Sequence, residues 1–127
     1  MTKSEKQQVF TLNISYLIHF AFLRGLRLTF GEASRSYDQV LLNYYGYEVV
    51  KSGNTIELKK KAPVSKTLNS KHLERLAVDF NFFVDGKLVH KHELIDAVGE
   101  FWKQLDPNNV WGGDWKVPND PYHFEMK

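Results

Sequence analysis

The sequence predicts an α+β domain, with a small, mainly antiparallel sheet and helices packed on one side of it. Three observations predict this. From Leu76 to Val84 the chain alternates, with Leu76, Val78, Phe80, Phe82 and Val84 on one face and Ala77, Asp79, Asn81 and Phe83 on the other. Asp85-Gly86, the preferred pair for a two-residue type I′ turn, then reverses the chain into a return strand over Lys87–Val89. Helical apolar stripes stand on both sides of this hairpin in the chain.

Taken in order, Ser4 followed by Gln7 reads as a capping box and Gly25 as a stop, predicting a first helix of roughly 20 residues. Phe10, Ile14, Leu17 and Ala21 form one apolar side, and Leu12, Tyr16, Phe20 and Leu23 another. With most of its circumference apolar, this helix is expected to be central and buried, with His19 a core or edge histidine. Arg27 to Ala33 reads as a strand. Ser36 and Gln39 cap a short helix that ends before Gly46, which leaves Arg35 at the strand-to-helix junction. Tyr47 to Asn69 carries loop and edge signals, Ser52-Gly-Asn54, Lys59-Lys60-Lys61 and Pro63, with one short edge strand over Thr55–Leu58.

Beyond the central hairpin, Leu94, Ile95, Val98, Phe101, Trp102 and Leu105 make the stripe of a last helix that begins at His92 and stops before Pro107. No carboxylate or third histidine is spaced to complete a metal site with His90 and His92. Val110–Trp115 places two tryptophans around Gly112-Gly113, and Tyr122–Met126 reads as a final strand beside Asp79.

A chain of 127 residues is one domain's worth. Residues 1–127 are accordingly read as a single domain, with no linker to a second, separate binding domain. The absence of cysteine excludes disulfides and thiolate ligands. A formal net charge of +2 does not by itself argue for nucleic acid, and the basic residues are not interleaved with aromatics. They are nevertheless concentrated, since Lys51 to Arg75 holds seven Lys or Arg against Glu57 and Glu74. Such a segment is expected to be a solvated loop or to meet an anionic cell-wall or outer-membrane surface. Val9–Leu23 is interrupted by Asn13, Ser15 and His19 and has Glu5 before it, so neither a signal peptide nor stable membrane insertion is expected.

The chemistry concentrates in Ser70–Asp79 and Asp120–His123. Two imidazoles and a carboxylate, His72, Asp79 and His123, make a ligand set for one catalytic zinc ion, which keeps a fourth position for water. Asp79 lies opposite the apolar face of a strand whose register the core holds, so the zinc site falls on the open face of the sheet. His72 sits on the loop feeding that strand. Asp120, three residues before the last ligand, is the candidate base.

Ser70-x-His72, Ala77-x-Asp79 and Asp120-Pro-Tyr-His123-Phe-Glu, together with Gly31-Glu-Ala-Ser-Arg35-Ser-Tyr-Asp-Gln39 and Trp111-Gly-Gly-Asp-Trp115, resemble the M15 family of zinc peptidases. That family includes D-alanyl-D-alanine carboxypeptidases and dipeptidases and the L-alanyl-D-glutamate peptidases that serve as phage endolysins. The Asp at position 120 resembles the endolysin side, the dipeptidases having Glu. One position departs from the pattern: the family has glycine three residues after the first histidine, and here it is Arg75, which bears on the loop geometry.

The resemblance implies a zinc peptidase that cuts the L-alanyl-D-glutamate bond of peptidoglycan stem peptides, with Asp120 as base and Arg35 as substrate-polarising arginine. It also implies that Trp111 and Trp115 line the groove beside the metal. Ser70 and Glu125 are candidates to support the metal-bound histidines. A D-alanyl-D-alanine carboxypeptidase is the near alternative, and a non-catalytic zinc-containing binding module is an alternative from another class. The expected enzyme is a monomer, made in the cytoplasm of a host bacterium and acting on the wall after release.

Overall fold

In the computed structural model, which describes residues 1–127, the alternating segment forms β4 (Ala77–Val84), on which the main sheet is built. β1 (Arg27–Phe30) pairs along one edge of β4. The other edge is divided between β5 (Lys87–Val89) and β7 (His123–Met126), with β6 (Asn109–Trp111) outside β7. Every pairing is antiparallel. The hairpin between β4 and β5 turns through Asp85 and Gly86 with φ of 50° and 78°, the two left-handed residues a type I′ turn requires.

Alternation decides which face of β4 is covered. Leu76, Val78, Phe80 and Phe82 point into the core with Phe124 and Met126 of β7, and against them lie α1 (Lys3–Leu23) and α3 (Glu93–Leu105). Trp102 of α3 is the centre of this layer: its ring meets Phe10 and Phe124 edge-on, at 5.6 and 6.0 Å between centroids. Its indole N–H donates to the carbonyls of Val110 (3.1 Å) and Glu125 (3.3 Å), so the helix is tied to the backbones of β6 and β7. Each such fully buried side chain contributes about 1.5–3 kcal/mol of transfer free energy. At the start of α3, His92 caps the helix by accepting the Leu94 N–H at Nδ1 (3.0 Å).

Two expectations need correcting. α1 is not a central buried helix: Phe10, Ile14, Leu17 and Ala21 are buried, whereas Leu12, Tyr16 and Leu23 are exposed and His19 faces solvent. A single-layer contact can cover only one stripe, whatever the polarity of the other. The cap also lies two residues earlier than expected, because Thr2 and Glu5 form the reciprocal box (3.1 and 2.7 Å), while Gln7 reaches across to the Glu74 carbonyl (2.8 Å).

α2 (Tyr37–Tyr45) begins where Ser36 Oγ accepts the Gln39 N–H and ends at Gly46, left-handed at φ 80°. Beyond it, the segment read as loop with one edge strand is a hairpin of six register pairs, β2 (Tyr47–Ser52) and β3 (Thr55–Lys60), forming a separate two-stranded sheet. The register is held by backbone bonding and the Gly53-Asn54 turn, without a core face to announce it. No helix is long and apolar enough to cross a membrane.

Candidate metal centre

Asp79 stands on the uncovered face of β4 and is gripped from both sides. Its N–H donates to the Glu32 carbonyl and its own carbonyl accepts the Gly31 N–H, each at 2.8 Å, while on the other edge its register partner is His123. A side chain at position 31 would press on Asp79, since a Cβ there would lie 3.2 Å from the Asp79 Cβ and carbonyl oxygen. Adjacent strands thus bring the carboxylate and one imidazole together across a single register pair. The other imidazole, His72, comes from the turn before β4: its N–H donates to Ser70 Oγ (3.2 Å) and its carbonyl accepts the N–H groups of Arg35 and Arg75 (both 3.2 Å). Arg75 is the left-handed residue of that turn, at φ 58°.

One donor atom from each of His72, Asp79 and His123 can be chosen so that all three lie within 4.8 Å of one another. His72 Nε2 is 3.4 Å from Asp79 Oδ2, and His123 Nδ1 is 2.9 Å from Asp79 Oδ1. Ligands about 2.0–2.1 Å from a tetrahedral zinc lie roughly 3.3 Å apart, so the first spacing already suits an ion and the second needs a small opening. The donor chemistry also fits, two imidazoles that can be neutral and one carboxylate, with both rings buried. The other nitrogen of His123, Nε2, is 2.7 Å from Glu125 Oε2, the carboxylate partner that orients a metal-bound imidazole. Ser70 supports His72 through its backbone rather than its ring, and His72 Nδ1 is buried without a partner.

Charges are arranged to match. Burial works to raise the Asp79 pKa, but bonds from His123 and His72 outweigh it and hold the carboxyl at about 2. Burial likewise works to lower the His123 pKa, and its bonds to Asp79 and Glu125 carry it up to about 9 in the metal-free protein. Asp120 is the opposite case: burial, and then the Asp79 charge, push it above the usual carboxylate range. Its carboxyl feels the charges of Asp79, His123 and His72 while accepting the Tyr122 N–H at Oδ1 (3.3 Å).

The chain backbone seats that carboxylate. Asp120 N–H donates to the Gly112 carbonyl (3.0 Å) and the His123 N–H donates to the Asp120 carbonyl (3.2 Å). A Cβ on Gly112 would overlap the Asp120 carbonyl oxygen, so this close approach requires glycine. Arg35 lies beside the turn that carries His72: its guanidinium is forked onto both oxygens of Glu32 and also donates to Ser70 Oγ (3.2 Å). Glu32 went unremarked as a partner in the sequence, although its i,i+3 spacing to Arg35 was a usable sign.

The two tryptophans separate. Trp115 is half-buried with its ring 5.0 Å from that of His123, forming a wall of the site. Trp111 is buried in the core, its indole seated against Gly99 and Gly113, where any side chain would overlap it, and its N–H donates to the Pro121 carbonyl (2.9 Å). That bond ends on the backbone next to Asp120, so the ring itself packs in the core rather than lining the groove. His90 is occupied with Tyr122, whose hydroxyl lies 3.1 Å from Nδ1 and donates to the His90 carbonyl (2.9 Å).

A family model described as D-alanyl-D-alanine carboxypeptidase, from the M15 peptidases, matches residues 63–126, just over half of the chain and all of the ligand-bearing part. The chain belongs to the M15 peptidase family. Among solved structures, this M15 chain is similar to the Serratia marcescens L-Ala D-Glu endopeptidase ChiX, with a TM-score of 0.64 at 19% identity, covering 98% of this chain and 86% of that one. At that identity the likeness concerns the fold, which the two share over nearly the whole length. No curated protein sequence matches the chain.

Proposed function

We propose that this M15 peptidase is a zinc-dependent peptidoglycan endopeptidase that hydrolyses the L-alanyl-D-glutamate bond of stem peptides. The observation that carries this reading is the convergence of His72, Asp79 and His123 on one point of the open sheet face, with Asp120 bonded through its carbonyl to the His123 N–H. When bound, zinc supplies Lewis acidity and a water acidified to a pKa of about 7. The raised pKa of Asp120 suits it to accept a proton from the attacking water and deliver it to the departing amine. Once His123 is neutral, Glu125 would hold the tautomer that leaves Nδ1 free to bind, with Nε2 carrying the hydrogen it donates.

Arg35 remains charged at any working pH and is already fixed in direction by Glu32 and Ser70, so it can meet the growing oxyanion or a substrate carboxylate without further ordering. Trp115 covers one side of His123 and narrows the approach. The choice of the L-alanyl-D-glutamate bond is supported by Asp rather than Glu at position 120 and by the fold shared with ChiX. A D-alanyl-D-alanine carboxypeptidase is the second reading, favoured by the description of the matching family model.

The test is digestion of purified peptidoglycan by the zinc-loaded protein, with released ends identified by mass spectrometry, beside a chelated sample and Asp120→Ala. New D-glutamate amino termini that vanish in both controls are the expected result. Release of free D-alanine would move the assignment to the carboxypeptidase. A protein that retains one zinc per chain and cleaves nothing would be a binding module instead.

A further inference from the structure

The β2–β3 hairpin stands apart from the main sheet, and its two faces differ in kind. On one face the register places Tyr47 opposite Lys60, Val49 opposite Leu58 and Lys51 opposite Ile56. On the other it places Glu48 opposite Lys59, Val50 opposite Glu57 and Ser52 opposite Thr55. Both glutamates of the arm therefore lie on the second face, and the first combines aliphatic side chains with cations alone. Those aliphatics are bare: Val49 is 53%, Leu58 64% and Ile56 74% exposed. The apolar strip continues into a groove against α2, where Leu41, Leu42 and Tyr45 meet Val49 and Leu58, with Asp38 as a single acid on the rim.

Charge is concentrated on the same element. Tyr47–Lys61 holds four lysines against two glutamates, which equals the +2 of the whole chain, so the remainder is formally neutral. None of Lys51, Lys59, Lys60 and Lys61 is in a salt bridge, whereas Lys71 of the wider basic segment is paired with Glu74 at 3.0 Å. Lys60 lies over the Tyr47 ring at 4.5 Å and donates to the Tyr45 carbonyl (2.9 Å), which fixes the base of the arm.

We propose that this face of the β2–β3 arm docks on the surface of an anionic lipid bilayer, with Val49, Ile56 and Leu58 entering the interface and Lys51 and Lys60 of the same face meeting the head groups. A bilayer accounts for both halves of the surface, since it offers apolar depth beneath negative charge. An anionic wall polymer would match the lysines and leave the three aliphatics in water. A second copy of the chain, set face to face, would bring Lys51 and Lys60 against their equivalents with no carboxylate between them. The surface involves no residue of the metal centre, so it stands or falls independently of the peptidase reading.

The experiment is co-sedimentation of the full chain with equimolar phosphatidylglycerol–phosphatidylcholine vesicles and with pure phosphatidylcholine vesicles, alongside purified sacculi and sedimentation velocity without lipid. Binding to the anionic vesicles, weakened by salt and absent on phosphatidylcholine, is the expected result. Ile56→Ser with Leu58→Ser should weaken it about tenfold or more. Lys51→Gln with Lys60→Gln should weaken it by a similar factor while leaving the apolar strip intact. Three results would overturn the proposal: vesicle binding indifferent to both double variants, retention on sacculi with no affinity for vesicles, or self-association that Ile56→Ser abolishes. Unchanged thermal unfolding of the variants establishes that the arm, rather than the fold, has been altered.

Discussion

Two antiparallel pairs in this molecule, three register pairs between β4 and β7 and six between β2 and β3, behave in opposite ways. β4 with β7 has one face sunk in the core, and the face left over holds Asp79 and His123 at a set height and direction. β2 with β3 has no core beneath either face, and its aliphatics remain in solvent. Anchoring on one side is what makes the other side precise enough for ligands about 2 Å from an ion, and its absence leaves a surface suited to soft, non-directional contacts. The first pair should therefore answer to protons and to single methyl groups, and the second to neither.

Protons give the largest contrast. His123 is held protonated up to about pH 9 in the metal-free protein, mainly by bonds to Asp79 and Glu125 that outweigh its burial, and zinc requires it neutral. Asp79, at about 2, stays ionised throughout and does not contribute to the slope. Apparent zinc affinity should thus rise about tenfold per pH unit well below pH 9 and roughly fiftyfold in all from pH 7 to pH 9, as measured by competition with a chromophoric chelator. Glu125→Gln removes one of the bonds that raises the pKa, so the profile should level off at a lower pH. The sign for stability without metal is opposite: a raised histidine pKa stabilises the fold below its ordinary 6.5, and that contribution is lost as the pH climbs through about 9. Vesicle binding by the arm involves neither His123 nor its partners and should not follow that profile.

Single methyl groups give the next contrast. Gly99 and Gly113 press on the Trp111 indole, whose N–H is bonded to the Pro121 carbonyl beside Asp120. Gly99→Ala should cost about 1–3 kcal/mol in urea unfolding, since the ring cannot yield without disturbing that bond. Ile56→Ser on the arm, although a larger chemical change, should stay within about 0.5 kcal/mol. Equal losses at the two positions would mean that the arm is anchored after all.

The same contrast explains what could be read from the sequence. Strict alternation over Leu76–Val84 gave the strand, its inner face and the outward Asp79, because burial of one face imposes the period. Asp85-Gly86, the Ser36 cap and the stripe of α3 were legible for similarly local reasons. Of the β2–β3 arm only the Thr55–Leu58 edge strand was, and its partner β2 was not, because with no core beneath it nothing imposes a hydropathic period on Tyr47–Ser52. Nor was the exposed side of α1, since Leu12, Tyr16 and Leu23 are as apolar as the stripe that packs, and composition does not say which side finds a partner. At the site, the ligand trio and Asp120 stood out as residue types at spacings. The grip of Gly31 on Asp79 depends on a contact between segments far apart in the chain, and that of Gly112 on Asp120 on how an irregular loop folds back, whereas the Glu32–Arg35 pair is local.

The smallest effect concerns Arg75, where this chain departs from the glycine of the family pattern. The residue is left-handed at φ 58°, the conformation for which glycine has no steric penalty, and the turn is held by its N–H on the His72 carbonyl (3.2 Å) together with the Leu76 N–H on the Lys71 carbonyl (2.9 Å). Both bonds belong to the backbone, so arginine occupies the same turn that glycine would, and the position of His72 does not depend on which is present. Relief of the left-handed strain, about 1–2 kcal/mol, is offset by the roughly 0.5–1 kcal/mol of extra entropy glycine loses on folding. Arg75→Gly should therefore raise the unfolding free energy by about 0.5 kcal/mol, with a midpoint about 2 °C higher and zinc affinity unchanged. A fall in stability, or a loss of zinc affinity, would show that the exposed arginine side chain holds the ligand turn in place, and that this anchored half of the molecule depends on more than its backbone.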